Sequence, residues 1–179
     1  MEDELRDVFF KSFDKFLAKE VNNILHGTSE RNLCARLAPL LEAEALEDGF
    51  KGYYADVEYN RMQEGRVKTL FDDRLRVVRI TCDLILHSRG EIVEKDNLIA
   101  LEMKRLEHSE SEKAKDRDRL RALTKQSYDG VWSADGKTLP EHVCGYSWGY
   151  FAELNAADRS FRIEEYLLGN LNDVVERRF

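Results

Sequence analysis

The sequence predicts one α/β or α+β domain, with a mixed central β-sheet flanked by helices. Three observations lead there. Residues 3–48 carry apolar side chains at helical spacing, residues 50–104 hold short apolar or aromatic runs separated by turn residues, and a capped helix and an aromatic strand follow in that order. At 179 residues the chain is long enough for one well-formed core and short for two. A composition of 42% hydrophobic and 35% charged residues, with two prolines and ten glycines, excludes disordered and fibrous classes.

The elements can be justified in turn. Leu5, Val8, Phe9, Phe13, Phe16, Leu17, Val21, Ile24 and Leu25 recur at helical spacing, so residues 3–25 read as an amphipathic helix closed by Gly27. Ser29 is a natural N-cap for a second helix running to Asp48, with Gly49 after its end. Between Phe50 and Arg61, Tyr53-Tyr54-Ala55-Asp56-Val57-Glu58-Tyr59 is aromatic and β-branched, the signature of a strand, and residues 62–73 are polar and loop-like. Two further strands are expected, Leu75 to His87 and Leu98 to Lys104, with turn residues Ser88-Arg89-Gly90 and Lys95-Asp96-Asn97 between them. Ser109 and Glu112 form a capping box that opens a helix to Tyr128. After a loop over 130–140, His142 to Leu154 reads as a strand, and Phe161 to Val175 is ambiguous between strand and helix.

Composition also bounds function. No apolar run approaches the roughly 20 residues that cross a bilayer, so no membrane partner is expected. The acidic start Met1-Glu2-Asp3-Glu4 lacks the positive charge of a signal peptide, and Cys34, Cys82 and Cys144 are isolated and odd in number. A cytoplasmic, reducing compartment is the expectation, with the cysteines as core residues. The net charge of −7 argues against broad nonspecific nucleic-acid binding. Two basic stretches, 61–79 and 104–125, offer local footing for a phosphate backbone, with solvated helix faces as the plainer reading.

The chemistry concentrates in Cys82-Asp83-Leu84-Ile85-Leu86-His87 and Leu98-Ile99-Ala100-Leu101-Glu102-Met103-Lys104, apolar strands with charges set well inside them. A hairpin folded about residues 92 and 93 sets Asp83 opposite Glu102, at a Cβ separation of about 4.5–5.5 Å. Glu102 and Lys104 are two apart and share a face. Two ionised carboxylates so placed repel and are costly to bury, and a divalent cation relieves both problems. Oxygen-only ligation by Asp83 and Glu102 suits Mg²⁺ or Mn²⁺, with Lys104 placed to orient a water or stabilise developing charge. The competing reading is a cross-strand Lys104–Asp83 ion pair with Glu102 at the sheet margin. An acid-x-Lys motif carries little weight alone. It occurs twice, at Glu102-Met103-Lys104 and Asp135-Gly136-Lys137, and only the first lies in a strand with an acid on the preceding strand.

These residues resemble the PD-(D/E)xK, or restriction-endonuclease-like, nuclease superfamily. The resemblance implies an αβββαβ core over residues 29–154, with residues 1–28 as an N-terminal helical addition and 155–179 as a C-terminal extension. It implies that Asp83 on the second strand and Glu102 with Lys104 on the third form the catalytic set. The phrases Asp56-Val57-Glu58-Tyr59-Asn60-Arg61 and Asp83-Leu84-Ile85-Leu86-His87-Ser88-Arg89-Gly90 look like those of small superfamily members, although Cys82 stands where the superfamily's name has proline. Many members carry a further acid on the first core helix. Glu30 is the natural candidate, on the helix side of Leu33, Cys34, Leu37 and Leu41, with Glu44 in reserve and Glu42 pointing away. Its plainer role is stabilisation of the helix dipole.

Weaker candidates are His87, Lys125 and Gln126, for which a local hydrogen bond or solvated surface is the simpler role. Tyr146, Trp148, Tyr150 and Phe151 read as sheet packing before base stacking. The function implied is metal-dependent phosphodiester hydrolysis, of DNA before RNA, by a homodimer or a subunit of a larger complex. The alternative is an inactive nuclease-fold binding or assembly module.

Overall fold

The computed structural model describes residues 1–58, 81–126 and 143–179, together with the backbone of two short strands, Thr69–Phe71 and Val77–Arg79. Among the described residues three α-helices, α1 (Glu2–Leu25), α2 (Glu30–Glu47) and α3 (Glu110–Thr124), accompany eight strands. These are β1 (Tyr54–Val57), β2 (Thr69–Phe71), β3 (Val77–Arg79), β4 (Leu84–His87), β5 (Asn97–Arg105), β6 (Trp148–Asn155), β7 (Ser160–Leu167) and β8 (Asn170–Arg178). Six of them form one mixed sheet in the order β1-β4-β5-β6-β7-β8, in which only the β5–β6 contact is parallel. The α3 crossover supplies the long connection a parallel neighbour needs. The chain is therefore α+β, with helices on both faces of an open sheet. No described helix is long and apolar enough to cross a membrane.

Local chemistry explains the helix boundaries. Ser29 Oγ accepts from the Asn32 N–H at 3.3 Å, and Ser109 and Glu112 complete the capping box reciprocally. Each bond satisfies a donor that the first helical turn would otherwise leave open.

Alternation along the strands assigns the two faces. Leu84, Leu86, Ile99, Leu101 and Met103 point toward α1 and α2 and share a core with Leu5, Phe9, Phe13, Leu33 and Leu37. Ile85, Ala100, Phe151 and Tyr166 lie on the opposite face under Leu120 and Leu123 of α3. The α1 helix is part of the main core: its Phe9 ring stacks on Tyr150 at 3.6 Å with the planes 4° apart, and Arg6 clamps the buried Glu165 of β7 through two bonds of 2.7 and 2.8 Å. Tyr146, Trp148, Tyr150 and Phe151 are all buried, so they pack the sheet and are closed to base stacking.

The structure corrects several expectations: α3 ends at Thr124 and not at Tyr128, β6 begins at Trp148 and not at His142, and three more concern the other strands. The strand expected over Leu75–His87 is two strands: β3 pairs with β2 in a separate two-stranded sheet, and β4 alone joins the main sheet. Residues 69–71, expected as loop, are strand β2. The ambiguous tail is a hairpin, β7–β8, whose turn residues Leu168 and Gly169 both hold left-handed backbone, φ 51° and 81°. Such a turn matches strand twist. The strands extend the sheet beyond β6, and the basic run over 61–79 and the loop with Asp135-Gly136-Lys137 lie outside the residues described with side chains.

Helix α3 rests closely on β6 because Gly149 has no side chain. A Cβ there would meet Thr124 Cγ2 at 3.0 Å and Leu120 Cδ2 and Tyr166 Cβ at 3.4 Å. Gly149→Ala is expected to lower stability by about 1–3 kcal/mol, the usual cost of overpacking. Urea unfolding beside wild type measures it, and an unchanged midpoint would show that α3 can lift off.

Candidate functional site

The site is built where β4 and β5 run side by side beneath α3. Leu84 opposes Leu101 and Ile85 opposes Ala100. One step further along the same register, Asp83 stands beside Glu102. The irregularity in this pair falls at Leu86/His87, toward the hairpin turn, and leaves the Asp83 end undisturbed. Asp83 Oδ2 accepts the Met103 N–H at 2.8 Å, replacing a ladder bond just beyond the end of β4. Glu102 and Lys104 share the face of Ala100, toward α3.

Burial is the dominant electrostatic fact. Glu102 is 1% exposed. Burial and the neighbouring Asp83 push its carboxyl well above the usual range, against the opposing pull of Arg119. Asp83 is raised too, by burial first, although the Met103 N–H and Lys104 favour its charge and a hydrogen bond links it to Glu102. Two carboxyl groups this close hold a proton more readily than isolated ones. Burial alone would lower Lys104, but Asp83, Asp116 and Glu30 more than offset it, so its amine is a firm cation.

Helix α3 supplies two residues that sequence reasoning passed over. Arg119 Nη1 donates to Glu102 Oε1 at 2.6 Å and lies 3.2 Å from Asp116 Oδ1. Lys104 Nζ forms an ion pair with the buried Asp116 Oδ2 at 3.4 Å. Among the described residues the site is thus three carboxyls, Asp83, Glu102 and Asp116, facing the two cations Lys104 and Arg119. The legible signal was an Asp–Arg pair three residues apart on the inward face of α3, one turn before Leu120 and Leu123. The positions singled out instead, Lys125 and Gln126, are exposed at the C-terminal end of that helix. The Lys104–Asp83 bridge with a marginal Glu102 is also not what forms, since Lys104 pairs with Asp116 and Glu102 is enclosed.

The other candidates separate cleanly. Glu30 stands at the far end of β5, where Oε1 accepts the Arg105 N–H at 2.7 Å and lies 3.0 Å from His108 Nε2. It contributes charge near Lys104 without touching Asp83 or Glu102 among the bonds described. Glu44 is buried between helices in an ion pair with Lys15 of α1, away from the site. Glu42, expected to point away, covers the outer edge of β1 by accepting the Ala55 N–H at 2.9 Å. Burial pushes the Cys34 thiol well up, and Asp83, Glu102 and Glu30 add to this, so it is no nucleophile.

His87 does not face the carboxylates. Its Nε2 lies 2.9 Å from Asp56 Oδ2, and Arg89 holds the same aspartate through bonds of 2.8 and 2.7 Å. Arg89 first, then His87, hold the Asp56 carboxyl below its ordinary value of 3.8. A depressed carboxyl stabilises the fold above its unfolded value, and that stability is lost as pH falls through the folded one. Asp56→Asn is therefore expected to cost about 1–2 kcal/mol at neutral pH. The gap from wild type should close below the ordinary value of 3.8, as measured by urea unfolding across pH. A pH-independent gap would mean the clamp works by shape alone.

The donor set fits one kind of metal. Among the described residues no three His, Cys, Asp or Glu side chains converge as a ready-made metal cage. Mg²⁺ is commonly held by only one or two carboxylates, with water and phosphate completing its shell. Asp83 and Glu102 would offer such an ion oxygen donors alone, and the charge of Asp116 acts on both carboxyls. Comparison with family models, with curated proteins and with solved structures gives no significant match.

Proposed function

We propose that this chain is a metal-dependent nuclease that hydrolyses phosphodiester bonds, DNA before RNA, with Asp83 and Glu102 holding Mg²⁺ or Mn²⁺. The observation that carries this reading is the pairing of Asp83 with Glu102 on neighbouring strands, with Lys104 two residues on. Burying that much like charge is expensive unless the site uses it. The order α2-β1-β4-β5-α3-β6, with β1, β4, β5 and β6 adjacent in the sheet, supports the αβββαβ reading. In that reading β2–β3 is an insertion and β7–β8 an extension.

When bound, the metal would neutralise phosphate charge and lower the pKa of a coordinated water. The chain's own residues do the rest. Lys104, a firm cation paired with Asp116 and favoured by the charge of Asp83, orients the attacking water and faces the charge that develops on the phosphoryl oxygens. Asp116 fixes the Lys104 amine in place. Arg119 neutralises Glu102 in the metal-free protein and, once released, is a second cation for the phosphate. Glu30 sets the end of β5 through the Arg105 N–H.

A second reading has its own support. Glu102–Arg119 and Lys104–Asp116 already compensate much of the buried charge, as they would in a binding or assembly module that needs no metal. The two are told apart by incubating plasmid, single-stranded DNA and RNA with the protein in Mg²⁺, Mn²⁺ or EDTA, alongside calorimetric titration of each metal. Cleavage that EDTA abolishes is the expected result. Absence of both metal binding and cleavage would favour the module.

A further inference from the structure

The six-stranded sheet has two edges, and they are finished differently. At β1, Glu42 covers the Ala55 N–H. At β8 the strand is nine residues long and largely exposed. Leu168, Leu171 and Val174, three of the exposed large apolar side chains of the described residues, all lie on the β7–β8 hairpin at 56%, 47% and 40% exposure. An exposed strand of this length is a ready template for another strand.

Its backbone orientation can be read from two bonds. Phe179 N–H donates inward to the Arg159 carbonyl at 3.1 Å. Val174 N–H takes its neighbour's Asp173 Oδ1 at 2.8 Å, and alternation from Phe179 along the ladder turns it away from β7. Odd-numbered residues from 173 onward therefore bond to β7, and Val174, Glu176 and Arg178 turn their N–H and C=O outward. The register shift near Glu165/Tyr166, where Asn172 has no opposite residue, limits the regular edge to residues 173–178.

We propose that β8 pairs antiparallel with β8 of a second copy about a two-fold axis at Val175, joining two sheets into one. Outward groups must oppose outward groups, which leaves two-fold axes at Val174, Val175, Glu176 and Arg177, the last of which faces Arg177 with its own copy. An axis at Glu176 faces that carboxylate with its own copy. An axis at Val174 sets Asp173 against Val175 and pairs no charges. The axis at Val175 opposes Asp173 to Arg177 of the second copy twice over, and Val175 to Val175. It bonds Val174 to Glu176 of the second copy through both N–H and C=O. Residues opposed without hydrogen bonds come closest in an antiparallel ladder, so the two charge pairs fall where they act most strongly. Asp173 is more than half exposed and Arg177 lies along the same face beside Asp14 and Phe10, so both charges are at hand. The self-complementary surface is what a two-fold interface requires.

Sedimentation velocity of the full chain across the micromolar range tests this. Wild type is expected to form a dimer. Val174→Pro removes an outward N–H that β7 does not use and is expected to give a folded monomer by circular dichroism. Asp173→Arg and Arg177→Asp, each alone, oppose like charges twice and are expected to be monomeric. An equimolar mixture of those two variants satisfies both pairs and is expected to regain the dimer. A wild type that stays monomeric, a dimer that survives Val174→Pro, or two folded monomeric variants that fail to associate when mixed would each overturn the proposal.

Discussion

Lys104→Met is expected to lower metal-dependent cleavage by about 10²–10³-fold, the usual loss when one preorganised donor to a developing charge is removed. The residue suits that role because Asp83, Asp116 and Glu30 together hold its amine protonated despite burial. A base would need the opposite shift. Methionine keeps the length of the stem, so the loss reports the charge and not a cavity. Asp83→Asn should differ in kind: it removes a proposed metal ligand, and calorimetry should show metal affinity falling together with cleavage. Lys104→Met should bind metal as well as wild type or better, having lost a competing cation. If Lys104→Met cuts at the wild-type rate, the amine serves only the ion pair with Asp116, and the catalytic reading of Glu102-Met103-Lys104 fails.

Arg119→Ala is expected to destabilise the metal-free protein by about 3 kcal/mol, because breaking one side of a buried pair leaves the other charge uncompensated. Glu102 is 1% exposed and Arg119 sits 2.6 Å from it. Glu102 has one escape, which is to take up a proton, and burial already favours that. The deficit should therefore shrink at lower pH, where the neutral carboxyl needs no guanidinium. Mg²⁺ should raise the melting temperature of the variant more than that of wild type, since the ion then binds a carboxylate no longer held by Arg119. Thermal unfolding in EDTA and in Mg²⁺ reads both effects. A variant as stable as wild type in EDTA would mean that Glu102 is neutral with or without its partner.

Much of this was legible in the residues. The symmetric hairpin about residues 92 and 93 follows from turn residues flanked by two apolar strands, and the Leu84–Leu101 register realises it because a slip of one residue would turn Leu84 and Leu86 out of the core. Ser29 and Ser109 announced their helices since capping is a local event. The β7–β8 hairpin was not legible. Its turn is Leu168-Gly169 rather than a residue pair that favours left-handed backbone, and only neighbouring β6 makes the strand assignment worthwhile. The division of Leu75–His87 escaped for a similar reason, since an apolar run does not reveal which of two sheets each half will join.

By itself, the sequence determined a mixed helix-and-strand domain, the helix starts set by caps, and the shared face of Glu102 and Lys104, because each depends on contacts within a few residues or on strand periodicity. The tertiary structure alone decided that Lys104 meets Asp116, that Arg119 holds Glu102, and that Glu44 pairs with Lys15 and not with the site. Those partners are separated along the chain by between 12 and 29 residues, and only the close approach of α3 over Gly149 and of α1 to α2 brings their charges together. In a buried site, the choice of counter-charge is made by packing.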